Sequence, residues 1–122
     1  MREIKPINIK PEEFEKQVKS WLERIHNNLR SFTITHREHL KGRNGEYEID
    51  AVARFEIFEG AEIVVLVECK RYKNPIKRDV VMLLNQKLQE MGAHKGMVFS
   101  TSGFQSGAIS FAAEHKIATI TV

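Results

Sequence analysis

The stretch VVLVECKRYKNP, Val64 to Pro75, begins as an apolar strand and turns charged where a core strand would continue to be greasy. A run of Val and Leu of this kind suits a strand buried on both faces of a sheet. Side chains two apart on a strand point the same way at a spacing of roughly 6.6 Å. Glu68 and Lys70 therefore project together from the face that carries Val64 and Leu66.

Immediately before this strand lies EYEIDAVARFEIF, a second strand candidate, separated from AEIVVLVECKRY by Glu59-Gly60. So short a connection forces an antiparallel hairpin. By period two, Ile49, Ala51, Ala53, Phe55 and Ile57 share one face and Asp50 takes the other. A two-residue turn would pair Phe58 with Ala61 and bring Asp50 opposite about Cys69, flanked diagonally by Glu68 and Lys70.

Working outward, Phe14, Val18, Trp21, Leu22, Ile25 and Leu29 recur at helical spacing after Pro11-Glu12-Glu13, which predicts a helix from Pro11 to Leu29. SFTITHREHL reads as a strand and KGRNGEY as a turn or mobile loop carrying Lys41 and Arg43. Beyond Pro75, Val80, Val81, Leu84, Leu88 and Met91 mark a second helix that stops at Gly92. The rest reads as strand KGMVFS, helix SGFQSGAISFAAEHK and strand IATITV, with Ser102 and Gln105 at capping-box spacing. Free N–H groups near Ser102 and Gly103 would also suit a phosphate. Strand, helix, strand at this length requires a parallel crossover. The expected fold is α/β, a mixed five-stranded sheet flanked by helices in the order αβββαβαβ.

At 122 residues the chain is expected to form a single domain over 1–122. One cysteine excludes a disulfide framework and a Cys-rich zinc site, which suits the cytoplasm. No apolar run approaches the roughly 20 residues needed to cross a bilayer. The net charge of +3 is mild, but cations cluster at Arg37 to Arg43 and at Lys70 to Arg78, which favours a polyanionic partner.

Two carboxylates and an ammonium converging at the end of a hairpin would be costly to bury unpaired. Hard oxygen donors of this type suit Mg2+ or Mn2+ rather than zinc. A cation held by Asp50 and Glu68 would polarise a phosphodiester while Lys70 orients water or stabilises developing charge, the parts of a metal-dependent nuclease. Against this stands the ordinary alternation of Glu and Lys on a solvated strand face. Arg71, Lys73, Lys77 and Arg78, with Tyr72 among them, suit contact with a DNA backbone, as do Lys41 and Arg43 in the earlier loop. The histidines, His36 and His39 among them, show no zinc or nucleophile–base spacing and are expected at the surface. Cys69 is expected to pack as a small hydrophobe.

Asp50 followed by Glu68-Cys69-Lys70 resembles the PD-(D/E)xK nuclease superfamily. More narrowly, FEKQVKSWL, GEYEIDAVA, VECKRYKNPI and GMVFSTSGFQSGAISFAAEHKI resemble the Mrr-type restriction endonuclease catalytic domain, whose relatives include archaeal Holliday-junction resolvases. The likeness runs from about Pro11 to Val122. It implies a restriction-endonuclease-like fold, a Mg2+- or Mn2+-dependent DNA endonuclease, metal ligation by Asp50, Glu68 and the Cys69 carbonyl, and assistance from Glu15 on the first helix. Glu12 and Glu13 are possible substitutes, and the alternative for Glu15 is a solvated acid complementing the helix dipole. Some relatives carry a glutamine on the helix after the lysine, a place Gln86 or Gln89 could fill. A proline does not precede Asp50 here; Ile49 does. Two other functions fit the same resemblance: junction or flap cleavage, and a non-catalytic DNA-binding or assembly module. Cutting both strands implies a homodimer, with Phe104, Ile109 or the N-terminal segment at the contact.

Overall fold

In the computed structural model, which describes residues 9–24, 30–43 and 45–122, eight elements follow the expected order. They are α1 (Pro11–Arg24), β1 (Arg30–Gly42), β2 (Gly45–Ile57), β3 (Ala61–Lys70), α2 (Arg78–Met91), β4 (Lys95–Ser100), α3 (Ser106–Glu114) and β5 (Ile117–Thr121). Positions 25–29 of the expected first helix lie outside the described residues.

The five strands stand in chain order, β1, β2 and β3 antiparallel and β3, β4 and β5 parallel. The apolar run that opens β3 is central because it pairs on both sides. Helix α1 covers one face, where Phe14, Val18 and Leu22 pack on Ala51, Ala53, Val65, Val67, Cys69 and Phe99. The crossover helices α2 and α3 cover the other, where Val81, Leu84, Leu88, Ala108 and Ala112 pack on Val52, Leu66 and Val98. Two successive crossovers of one hand, advancing the same way across a sheet, must lie on the same side. Helix α2 ends as expected, with Gly92 left-handed at φ 65.

The structure departs from three local expectations. The β2–β3 turn has three residues, not two: Phe58 at φ 52 and Gly60 at φ 110 enclose Glu59, and Ile57 pairs with Ala61. A bulky aromatic disfavours the left-handed region, and Phe58, 86% exposed, adopts it at the turn with its side chain directed to solvent. The extra residue moves the register by one, pairing Ala51 with Val67 and placing Asp50 level with Glu68 rather than Cys69.

Second, Ile49 does not share a face with Ala51. It lies in the α2–α3 core with Val52, while Ala51 and Ala53 face α1. The alternation breaks at Asp50, and on the neighbouring strand Arg37 is left-handed at φ 53 between the pairs His36–Ala51 and Glu38–Ile49. Both strands kink at one level.

Third, α3 begins at Ser106 behind Gln105, with no side-chain cap. Ser102 caps nothing. Its hydroxyl donates to the Asn74 carbonyl at 2.7 Å, and its N–H donates to Ser100 Oγ at 3.1 Å, so it staples two loops together.

Helix α2 approaches β4 closely because Gly96 offers no side chain: a Cβ there would meet Leu84 Cδ2 at 3.0 Å and Leu88 Cδ1 at 3.1 Å. Gly96→Val is expected to push the helix outward and cost about 1–3 kcal/mol. Urea unfolding of the variant beside the parent protein checks this, and equal midpoints would refute the close-approach account.

Candidate active site

The antiparallel ladder between β2 and β3 extends from Ile57–Ala61 to Ala51–Val67. Past that level β2 continues alongside β1, and Glu68, Cys69 and Lys70 pair with Val98, Phe99 and Ser100 of β4. Where the two strands part, the side chain of Asp50 takes over from the backbone. The Cys69 N–H donates to Asp50 Oδ2 at 2.8 Å, so a carboxylate stands where the next rung would be. This fixes Asp50 against β3 and satisfies an N–H that the parting strands would otherwise leave unmet.

Glu68 follows Leu66 on the α2 side and is almost fully buried. Lys87 Nζ, from the middle of α2, donates to Glu68 Oε1 at 3.0 Å, with both side chains shielded. The Glu68 carboxyl is pushed up to about 7, chiefly by burial and then by the charge of Asp50; Lys87 and Lys70 pull it down less strongly. Two carboxylates that repel one another in a desolvated place bind a divalent cation more readily than either would alone.

Lys70, the last residue of β3, is half-buried, with its Nζ 5.9 Å from the centroid of the Tyr72 ring. A cleft of about 130 Å³ exposes Glu68 and Lys70, with Tyr72, Asp79 and Lys87 also in its lining; Asp50 lies outside that lining. It lies at the carboxyl end of β3, where parallel strands of α/β sheets present their sites.

Cys69 points to the other face and is buried in the α1 core. Burial, with Asp50, Glu15 and Glu68 nearby, pushes its thiol far up, which keeps the sulfur protonated and removes it as a nucleophile or soft ligand. Glu15 sits on that same side, buried on α1. Its Oε1 accepts from Arg37 Nε at 3.1 Å and lies 2.8 Å from His36 Nε2. His36 is therefore no idle surface residue. It joins the kinked part of β1 to α1, and nothing in its spacing along the chain signalled that role.

The expected donors, Asp50, Glu68 and the backbone oxygen of Cys69, would suit a hard cation, being oxygen throughout with no thiolate and no imidazole. Among the described residues no three His, Cys, Asp or Glu side chains gather as a metal cage. Mg2+ needs none, since it keeps several of its waters and takes one or two carboxylates.

The basic residues divide. Arg71, Lys73 and Lys77 line one groove of about 530 Å³ that adjoins the cleft. Arg43 instead lines a separate cleft with Gln86, Gln89 and Glu90, at the turn of the β1–β2 hairpin, and Lys41 is exposed on β1. Arg78 opens α2 beside Gly107 of α3. The polar α2 side chain that bonds Glu68 is thus Lys87, while Gln86 and Gln89 line the other cleft. Helical phase carries the signal: Val80, Leu83, Leu84 and Lys87 follow one face at i, i+3, i+4 and i+7.

A family model described as "Restriction endonuclease", the Mrr catalytic-domain model, matches residues 7–122. No curated protein matches the sequence. Among solved structures, a protein of unknown function, AF1548, superposes with TM-score 0.69 at 21% identity, over 86% of this chain and 54% of its own. Can2 from Sulfobacillus thermosulfidooxidans, solved in complex with cyclic tetra-adenylate, gives 0.68 at 17% identity over 89% of this chain and 32% of its own. The DNA modification-dependent restriction endonuclease AspBHI gives 0.52 at 16% identity over 99% and 35%. At these identities the likeness is one of fold. The chain spans about half the length of the first and about a third of the other two.

The Glu68 shift has a measurable consequence. Its carboxyl is held up to about 7 in the folded protein, above the ordinary value it has in the unfolded chain, so between about pH 4.5 and 7 the folded state binds the extra proton. Stability from this group is present below that window and lost as pH rises through it. Thermal melts at about pH 5 and pH 8 should show Glu68→Gln gaining on the parent protein at the higher pH, by on the order of 1 kcal/mol. A pH-independent difference would refute the assignment.

Proposed function

We propose, from the premise that the chain belongs to the Mrr-type restriction endonuclease catalytic family of the PD-(D/E)xK superfamily, that it is a Mg2+- or Mn2+-dependent DNA endonuclease. The observation that carries the reading is the meeting of Asp50 with Glu68 where β2 and β3 part, beside Lys70.

Asp50, Glu68 and the Cys69 carbonyl would hold the cation, which when bound supplies Lewis acidity at a phosphate and lowers the pKa of water. The residues of the chain supply the rest. The Cys69 N–H keeps Asp50 aimed along β3. Lys87 fixes Glu68 Oε1, which restricts how the carboxylate can turn. The Lys70 ammonium orients the attacking water and stabilises negative charge as it develops on the phosphorane-like transition state. Glu15, anchored through Oε1 by His36 and Arg37, assists from the α1 side. Lys73 and Lys77 hold phosphates of the DNA backbone beside the cleft, with Arg71, and Lys41, Arg43 and Arg78 contact it farther out. Cutting both strands would take two copies of the chain. Of the contacts expected, Ile109 is half exposed on α3 and Phe104 packs partly against the core, while positions 1–8 of the N-terminal segment lie outside the described residues.

Plasmid nicking in Mn2+ tests the reading. Lys70→Ala and Asp50→Asn should each lower the rate by about 10²-fold or more in protein that still folds and melts cooperatively. Asn is the informative replacement at 50, because its amide oxygen still accepts from the Cys69 N–H, whereas Ala would strand that buried donor at about 1–3 kcal/mol. Undiminished nicking by Lys70→Ala would exclude this centre. Binding of DNA without any metal-dependent nicking by the parent protein would favour a non-catalytic module.

A further inference from the structure

The loop from Arg71 to Lys77 leaves β3 directly after Lys70 and is held at several points. Ile76 is fully buried and forms a parallel bridge with Phe104: its N–H donates to the Gly103 carbonyl at 2.9 Å, and Gln105 N–H donates to its carbonyl at 2.8 Å. Ser102 Oγ donates to the Asn74 carbonyl, and Arg71 Nε to the carbonyl of Ile9. On this fixed frame Tyr72 stands out, with 48% of its surface exposed. About half of its surface is thus left open to a ligand.

Its position suggests what it meets. The groove lined by Arg71, Lys73, Asn74 and Lys77 and the cleft lined by Glu68, Lys70 and Lys87 are contiguous, and Tyr72, Asp79 and Val80 line both. The groove carries three cations against one carboxylate, Asp79. A strand whose phosphates rest on Lys73 and Lys77 therefore passes the Tyr72 ring before it reaches Glu68. In a duplex each base is covered above and below by its neighbours, so an aromatic side chain gains a base face only where stacking and pairing are interrupted.

We propose that Tyr72 is a stacking platform for an unpaired DNA base, so that the strand entering the cleft is single-stranded or locally unpaired next to the phosphate presented to Asp50 and Glu68. The proposal rests on the nuclease reading above and names the substrate class of that same site. Lys70, whose ammonium already lies near the ring, couples the stacked base to the reacting phosphate.

The test is fluorescence anisotropy on the full chain in EDTA, with labelled oligothymidylate and a blunt duplex of equal length. Tyr72→Ala should weaken single-strand binding by about tenfold and leave duplex binding unchanged, while Tyr72→Phe keeps the parent affinity. The double variant Lys73→Ala/Lys77→Ala should weaken both and flatten the salt dependence of each. Tyr72 is an exposed loop residue, so all variants should melt as the parent does. Equal losses on both probes with Tyr72→Ala, no loss on the single strand, or Tyr72→Phe behaving like Tyr72→Ala would each overturn the proposal. Mn2+-dependent nicking that needs Lys70, combined with single-strand binding indifferent to Tyr72, overturns the platform and keeps the nuclease. Tyr72-dependent single-strand binding without nicking keeps the platform and overturns the nuclease.

Discussion

One hydrogen bond organises the candidate site: the Cys69 N–H to the Asp50 carboxylate. It lies where β2 leaves β3, and it solves two problems at once. It gives the backbone donor freed at the end of the ladder a partner, and it holds Asp50 against β3, close to the cleft that Glu68 and Lys70 line with α2. Nearly everything else follows from that level of the sheet. Glu68 becomes buried beside a like charge, Lys87 is drawn in from α2, and β1 kinks at Arg37 so that His36 and Arg37 reach Glu15.

The energetics at this point work against stability. Burying Glu68 near Asp50 is unfavourable at neutral pH, and the ion pair with Lys87 offsets only part of it, as the raised pKa of about 7 records. The compensation is distributed over two ordinary cores on the two faces of the sheet, where Phe14, Leu66, Val67, Leu84 and Phe99 are essentially fully buried. A strained pair of acids on a well-packed sheet is the arrangement expected when an active site is tolerated by the fold rather than stabilising it.

Much of this was legible in the sequence. Period two in β2 and β3, helical spacing in α1 and α2, and Gly92 at the end of α2 are strong local signals, and they gave the order and type of every element. What escaped was governed by single residues acting against propensity or across space. Phe58 in a left-handed conformation lengthens the turn, and that one residue decides whether Asp50 stands level with Cys69 or with Glu68. The face change between Ile49 and Ala51 leaves no trace in hydrophobicity, because both are apolar. Lys87 shares a helix face with Val80, Leu83 and Leu84, but that this face meets Glu68 emerges only from the packing of α2 on the sheet. The α3 start was misread because Ser102 has capping chemistry and uses it on the Asn74 loop instead.

The central claim is that Asp50 and Glu68 share a divalent cation at the parting of β2 and β3. Anomalous diffraction from crystals grown in Mn2+ measures it most directly. The account predicts a single peak in contact with both carboxylates and the Cys69 carbonyl. Density without a peak there, with Asp50 still on the Cys69 N–H and Mn2+ bound elsewhere on the chain, would contradict it.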